Sequence, residues 1–333
     1  MRLSALILVS ISLTALPQQL EINAEPLSES VLVITGGGGN VTAVVGREGV
    51  VVVDTFTSPA AARLAREKIS EFSHKPVRYV INTHYHADHT FGNQVFADAA
   101  IIAHPKCASR VAEAYAERAV EYAAAPARVR QLEADFRDAV ESDADKAARI
   151  KKELDRERRL AALYEGMELV PAPLTIDGGM TINLGDKKLK LLHFGPGHTD
   201  GDLVVFVPED NLLITGDLVF HHSIPYIDVG AGADVQAWIG VLEKLYEMCD
   251  RDTKVIVGHG DTGGRQALAD QRDYLRDLWK AVDDARTSGK TLDEAKAELK
   301  LEKYSHYERY ERALAGNVEA CWQLIEKSEA GSQ

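Results

Sequence analysis

The chain has 333 residues, 45% hydrophobic and 27% charged, with a formal net charge of −13. That length is enough for one large domain or two ordinary ones around a well-buried core. The acidic balance argues against a nucleic-acid partner, which needs clustered Lys and Arg.

Residues 1–24 hold one early arginine, an apolar run within "MRLSALILVSISLTAL", and then polar "PQQLEINAEP". This is the layout of a secretory signal peptide, too short for a comfortable membrane span. Export to the periplasm or the exterior is therefore expected, without stable membrane insertion. Cys107, Cys249 and Cys321 are widely spaced and form no CxxC pair. They read as small buried hydrophobes in helices rather than as a disulfide framework or a cysteine metal site.

"SVLVITG", "VTAVVG" and "GVVVVDT" then read as short strands between glycine-rich turns. No Gly-Lys-Ser/Thr follows "GGGGN" at 36–40, so that stretch predicts a hairpin loop rather than a phosphate cradle. "PAAARLAREKISEFS" at 59–73 predicts a helix with a proline suited to its first turn. "VRYVIN" follows as a buried strand, then "THYHADH" at 83–89, then a short strand in "AAIIAHP". The strand–helix–strand alternation indicates an α/β architecture.

Residues 107–165 are rich in Ala, Glu and Arg, with Val129, Leu132, Phe136 and Val140 at spacings of three and four. They predict two helices broken near Pro126, an insertion that supplies no metal ligand. Its apolar side must cover something, either as a lid over a cleft or as an arm for a homodimer; the lid is the favoured reading. Strands resume in "KLKLLHF", "DLVVFVP", "NLLITGD" and "KVIVGHG". Residues 266–333 read as a helical extension, in which "TLDE" at 291–294 fits a capping box.

The densest chemistry is at 83–89. On an extended segment residues i and i+2 share a face, so His84, His86 and Asp88 can converge while His89 points elsewhere. One four-coordinate ion cannot readily use all four groups with that geometry, whereas two neighbouring ions can. Further donors stand after apolar runs and a glycine: His198 in "GPGHTDGD", Asp217 ending "LLITGD", and His259 in "KVIVGHGD".

"HYHADH", "GPGHTDGD", "TGDLVF" and "GHGD" together resemble the motif set of the metallo-β-lactamase superfamily, over roughly residues 30–262. The resemblance implies an αββα sandwich over residues 25–265, with metals at one edge. Carried over by motif, His84, His86 and His198 hold one ion, Asp88, His89 and His259 hold the second, and Asp217 bridges them. Two Zn²⁺ per chain suit three neutral imidazoles with carboxylates, and Fe and Mn are compatible with the same donors.

The implied chemistry is hydrolysis of an ester, thioester, amide or lactam in a small-molecule substrate, by a hydroxide shared between two zinc ions. Asp88 orients that hydroxide as well as ligating. Asp217 stands where β-lactamases of the family place Cys or Ser, so a general metallo-hydrolase is preferred to a true metallo-β-lactamase. A hydroxyacylglutathione hydrolase-like thioesterase fits the aspartate but conflicts with the leader. A metal-free binding protein is disfavoured because all seven ligand positions are filled. Tyr85, His221, His222 and Tyr226 are candidate substrate contacts by their place beside the motifs.

Overall fold

Val50, Val51, Val52 and Val53 are all buried, which requires apolar layers on both faces of the strand they form. The computed structural model, which describes residues 20–331, supplies both layers. β1 (Asn23–Ser28), β2 (Val31–Thr35), β3 (Val41–Gly46) and β4 (Gly49–Val53) form an antiparallel meander. After helix α1 (Pro59–Phe72) the sheet continues with β5 (Val77–Ile81), parallel to β4. A one-turn helix α2 (Ala87–Thr90) leads to β6 (Ala100–Ala103). Helices α3 (Pro105–Ser142) and α4 (Ala144–Leu163) intervene before β7 (Leu174–Thr175), which completes seven strands.

The second sheet has six strands: β8 (Gly179–Asn183), β9 (Lys188–Leu192), β10 (Val204–Val207), β11 (Leu212–Ile214), β12 (Lys254–Ile256) and β13 (Gly263–Gly264). Helix α5 (Val235–Met248) crosses between β11 and β12, which pair parallel. The chain ends in α6 (Arg265–Thr287), α7 (Leu292–Glu298) and α8 (Tyr310–Gly331).

Alternation along each strand builds the layers. Val31, Val51, Val53 and Ile81 face Leu189, Val205, Ile214 and Ile256 between the sheets. Leu32, Val50 and Val52 turn outward onto Ala61, Ala65 and Ile69 of α1. On the far side α5, α6 and α8 share one apolar cluster with Leu213 and Val255. The result is the expected αββα sandwich, with α6 and α8 in its outer layer.

The helix break in the insertion differs from its expectation. Pro126 lies inside α3, and the break falls at Asp143. Proline removes one hydrogen bond to the carbonyl four residues back, and the alanine-rich flanks in "YAAAPARVRQ" carry helical propensity past that loss. Asp143 is extended, with φ −156°, and its side chain accepts the Lys146 N–H at 2.9 Å, which starts α4. The capping box at Thr291 and Glu294 is present with both reciprocal bonds.

All three cysteines are buried and free, Cys107 in α3, Cys321 in α8, and Cys249 just past the end of α5. Among the described residues no helix is long and apolar enough to cross a membrane. Most of the leader, residues 1–19, lies outside the described residues; Asn23 and Ala24, at its assigned end, pair with Thr35 and Ile34 in the first sheet.

Candidate metal centre

The predicted donors collect where four chain segments leave the sheets. Past β5 the chain bends through Thr83, His84 and Tyr85 and then turns into α2 at Ala87. His84 and His86 converge, with ring nitrogens 2.9 Å apart, but Asp88 does not join them, because helical geometry carries it with His89 to a second group. That corrects the shared face expected for His84, His86 and Asp88. His198 comes from the β9–β10 loop, Asp217 from a single turn after β11, and His259 from just past β12.

Two groups result, with the donor atoms of each within 4.8 Å of one another. In the first, His86 Nδ1 is 2.9 Å from His84 Nε2 and 3.0 Å from His198 Nε2. Asp217 Oδ2 stands 3.7 Å and 3.6 Å from those two Nε2 atoms. In the second, His259 Nε2 is 3.2 Å from Asp88 Oδ2, and His89 Nε2 is 3.8 Å from the same oxygen. Asp217 reaches this group too, with Oδ1 3.2 Å from His89 Nε2 and Oδ2 3.3 Å from His259 Nε2.

Partners behind the rings determine which nitrogen carries a proton. His198 Nδ1 is 2.8 Å from the Tyr226 carbonyl, which only accepts, so its Nε2 lone pair faces the group. His89 Nδ1 donates to Asp54 Oδ2 at 2.8 Å, with the same consequence for its Nε2. Thr83 gives its hydroxyl proton to Asp54, so its oxygen accepts from His84 Nδ1 at 3.1 Å. His86 is reversed: Nε2 donates to Asp228 Oδ2 at 2.9 Å, leaving Nδ1 to face inward.

The electrostatics call for positive charge between the groups. His89 Nε2 and Asp217 Oδ1 are buried with no hydrogen-bond partner, an arrangement that costs about 1–3 kcal/mol per group unless something binds there. Burial works against ionising Asp217, but the imidazoles of His259, His89 and His84 hold its carboxyl well below the usual carboxylate range. Burial, then His86, pushes His198 down to about 3, so it stands as a neutral donor. Burial opposes charge on His259 as well, yet Asp217 and Asp88 lift it to about 9. Imidazole nitrogens, carboxylates and two orphaned atoms fit divalent cations of the zinc type, which would take the place of the protons that the carboxylates draw onto His259.

Glycines let the loops close over this centre. A Cβ on Gly258 would lie 1.9 Å from Asp217 Oδ1. In the β2–β3 hairpin, a Cβ on Gly39 would lie 2.3 Å from His89 Cε1. The hairpin expected for "GGGGN" is thus also one wall of the second group.

Tyr85 donates its hydroxyl to Asp228 at 2.5 Å. Tyr226 is half exposed, with its ring 5.9 Å from that of His86. His221 lies beside His259, its backbone N–H on the His259 carbonyl and its Nδ1 2.9 Å from the Asp261 carbonyl. His222 stacks on His221 with ring centroids 4.1 Å apart and points into solvent. His104 and His193 lie against each other with tilted rings, 4.3 Å between centroids, and belong to neither group.

Asp54, Thr83 and Asp228 were not found from sequence. Asp54 had a signal, since "GVVVVD" ends an apolar strand on aspartate just as "LLITGD" does; it adopts a left-handed φ of 63°. Asp228, in an irregular loop, had none.

Comparison with known proteins agrees with this geometry. The acyl-coenzyme A thioesterase MBLAC2 of Bos taurus is 33% identical over 31% of this chain and 36% of its own length. The linear primary-alkylsulfatase of Pseudomonas sp. (strain ATCC 19151) is 23% identical over 81% of this chain and 52% of its own. The chain thus spans about a third to a half of the length of these curated relatives. A solved metallo-beta-lactamase from Pontibacter korlensis superposes with TM-score 0.55 at 17% identity, covering 77% of this chain and 99% of that one. The family model described as metallo-beta-lactamase superfamily matches residues 34–261, well over half of the sequence. With its fold, motif order and paired donor groups in agreement, this chain belongs to the metallo-beta-lactamase superfamily of metal-dependent hydrolases.

Proposed function

We propose that this chain is a dinuclear zinc hydrolase acting on a small-molecule ester. The carrying observation is Asp217, whose carboxylate stands 3.2–3.7 Å from donors of both groups. His84 Nε2, His86 Nδ1 and His198 Nε2 would hold one ion. Asp88, His89 Nε2 and His259 Nε2 would hold the other, with Asp217 between them. Bound divalent ions supply a water acidified toward neutral pH and a Lewis acid for the substrate oxygen.

The residues of the chain supply direction. His84, His89, His198 and Asp217 are buried, whereas the side chains of His86, Asp88 and His259 are 19%, 31% and 26% exposed. Substrate therefore approaches across those three, past Tyr226 on one side and His221 on the other. Asp88, the most open carboxylate of the set, orients the attacking water and takes its proton. No serine or cysteine nucleophile is required.

Likeness to an alkylsulfatase across most of the chain supports an ester, sulfate esters included, ahead of a lactam, and the aspartate at 217 points the same way. Elemental analysis of chain purified without chelator is expected to find two equivalents of divalent metal. Chelation should abolish hydrolysis, and zinc should restore it. At most one equivalent after zinc reconstitution would overturn the dinuclear reading. In a panel of acyl esters, thioesters, alkyl sulfates and β-lactams, lactam turnover faster than any ester would replace the ester reading by the β-lactamase one.

A further inference from the structure

We propose that Asp228 is a positioning residue for His86, and that through Tyr85 and Arg110 it ties the first metal group to the base of the helical insertion. This rests on the reading that His86 holds an ion through Nδ1. Asp228 Oδ2 takes two hydrogen bonds, from His86 Nε2 at 2.9 Å and from the Tyr85 hydroxyl at 2.5 Å. Its other oxygen accepts the Ala231 N–H at 3.1 Å, on the short turn Val229–Ala231 that Asp228 itself caps.

His86 needs such a hold more than its two partners do. The rings of His84 and His198 are enclosed on all sides, at 1% and 0% exposure, while the side chain of His86 is 19% exposed. Its inward nitrogen is Nδ1, where the other two present Nε2. A half-turn of the ring would place the Cδ2–H, and a shift of its proton an N–H, where a lone pair is needed. Asp228 is the acceptor that opposes both.

The same contacts reach the insertion. The Tyr85 ring packs against the His86 ring at 4.6 Å between centroids. Over Tyr85 lies the guanidinium of Arg110, with Cζ 5.6 Å from the ring centroid. Arg110, in the second turn of α3, is clamped by both terminal nitrogens onto Asp200, two residues past His198. Lys106 adds a contact to Asp200 at 3.2 Å. Among the described residues the insertion contributes no ligand, yet its first turns brace the partner of one.

The test uses the full chain as wild type, Asp228→Ala, Asp228→Asn and Arg110→Met. Chelator competition measures zinc affinity, and nitrogen-15 NMR of the zinc-free chain reads the His86 tautomer. Wild type should show His86 protonated at Nε2. Asp228→Ala should bind one of its two zinc ions about 10–100-fold more weakly, the usual effect of losing such a partner, and leave the other unchanged. His86 should become a tautomer mixture, with the circular dichroism of the wild type. If the alanine variant fails to fold, Asp228→Asn, which keeps the volume and an acceptor for Ala231, is read in the same way. Arg110→Met should weaken the same ion to a smaller degree. A Nδ1–H tautomer in wild type, or unchanged affinity for both ions in a folded Asp228 variant, overturns the positioning role. Unchanged affinity in Arg110→Met overturns the tie to the insertion. A wild type that binds no ion in the first group would instead remove the dinuclear reading, while the tautomer still judges Asp228.

Discussion

Asp217→Asn is expected to leave one firmly bound zinc ion where the wild type holds two, and to slow hydrolysis roughly a thousandfold, about 4 kcal/mol of transition-state stabilisation. The amide keeps the size and shape of the side chain and loses its charge. Asp217 faces donors of His84, His89, His198 and His259, and among the described residues no other carboxylate reaches donors of both groups. Either orientation of the amide turns an N–H₂ toward one group, where it opposes a cation and donates to an imidazole lone pair that the ion would need. Metal analysis and kcat/KM read the two effects separately. Full metal content together with the full rate would remove the bridging role.

Gly39→Ala should expel the ion of the second group while the fold survives. The added Cβ would sit 2.3 Å from His89 Cε1 and 2.5 Å from its Nε2, on the edge of the ring that faces the donors. His89 has no room to retreat, being fully buried with Nδ1 held 2.8 Å from Asp54. Overpacking of this kind costs about 1–3 kcal/mol, a few degrees in Tm, which a domain of this size tolerates. Zinc stoichiometry should fall from two to one with near-normal circular dichroism. Retention of both ions at wild-type affinity would show that the β2–β3 hairpin yields instead.

Elements whose causes lie within a few residues were legible in the sequence. The valine runs read as buried strands, Pro59 as the first turn of a helix, and Thr291 with Glu294 as a capping box, because each rests on local periodicity or a local hydrogen bond. The helix break was misplaced for the same reason. A proline is conspicuous in sequence, yet at Pro126 it costs one bond that the neighbouring alanines outlast. The quieter Asp143 supplies the cap that starts a new helix.

The donors divide along the same line. His84, His86, Asp88 and His89 announce themselves within six residues, and His198, Asp217 and His259 each end an apolar run at a glycine. The sequence by itself therefore determined the inventory of donors and the layers that carry them, since residue type and strand periodicity are properties of short segments. The resemblance already implied how the donors divide into two groups; only the tertiary structure gave the physical reason for that division and decided which nitrogen of each ring faces inward. The turn at Ala87 sends Asp88 to the second group, and the His86 lone pair depends on Asp228, 142 residues further along the chain. A ring's tautomer follows the acceptor behind it, and which acceptor arrives there is settled by how the sheets and loops pack.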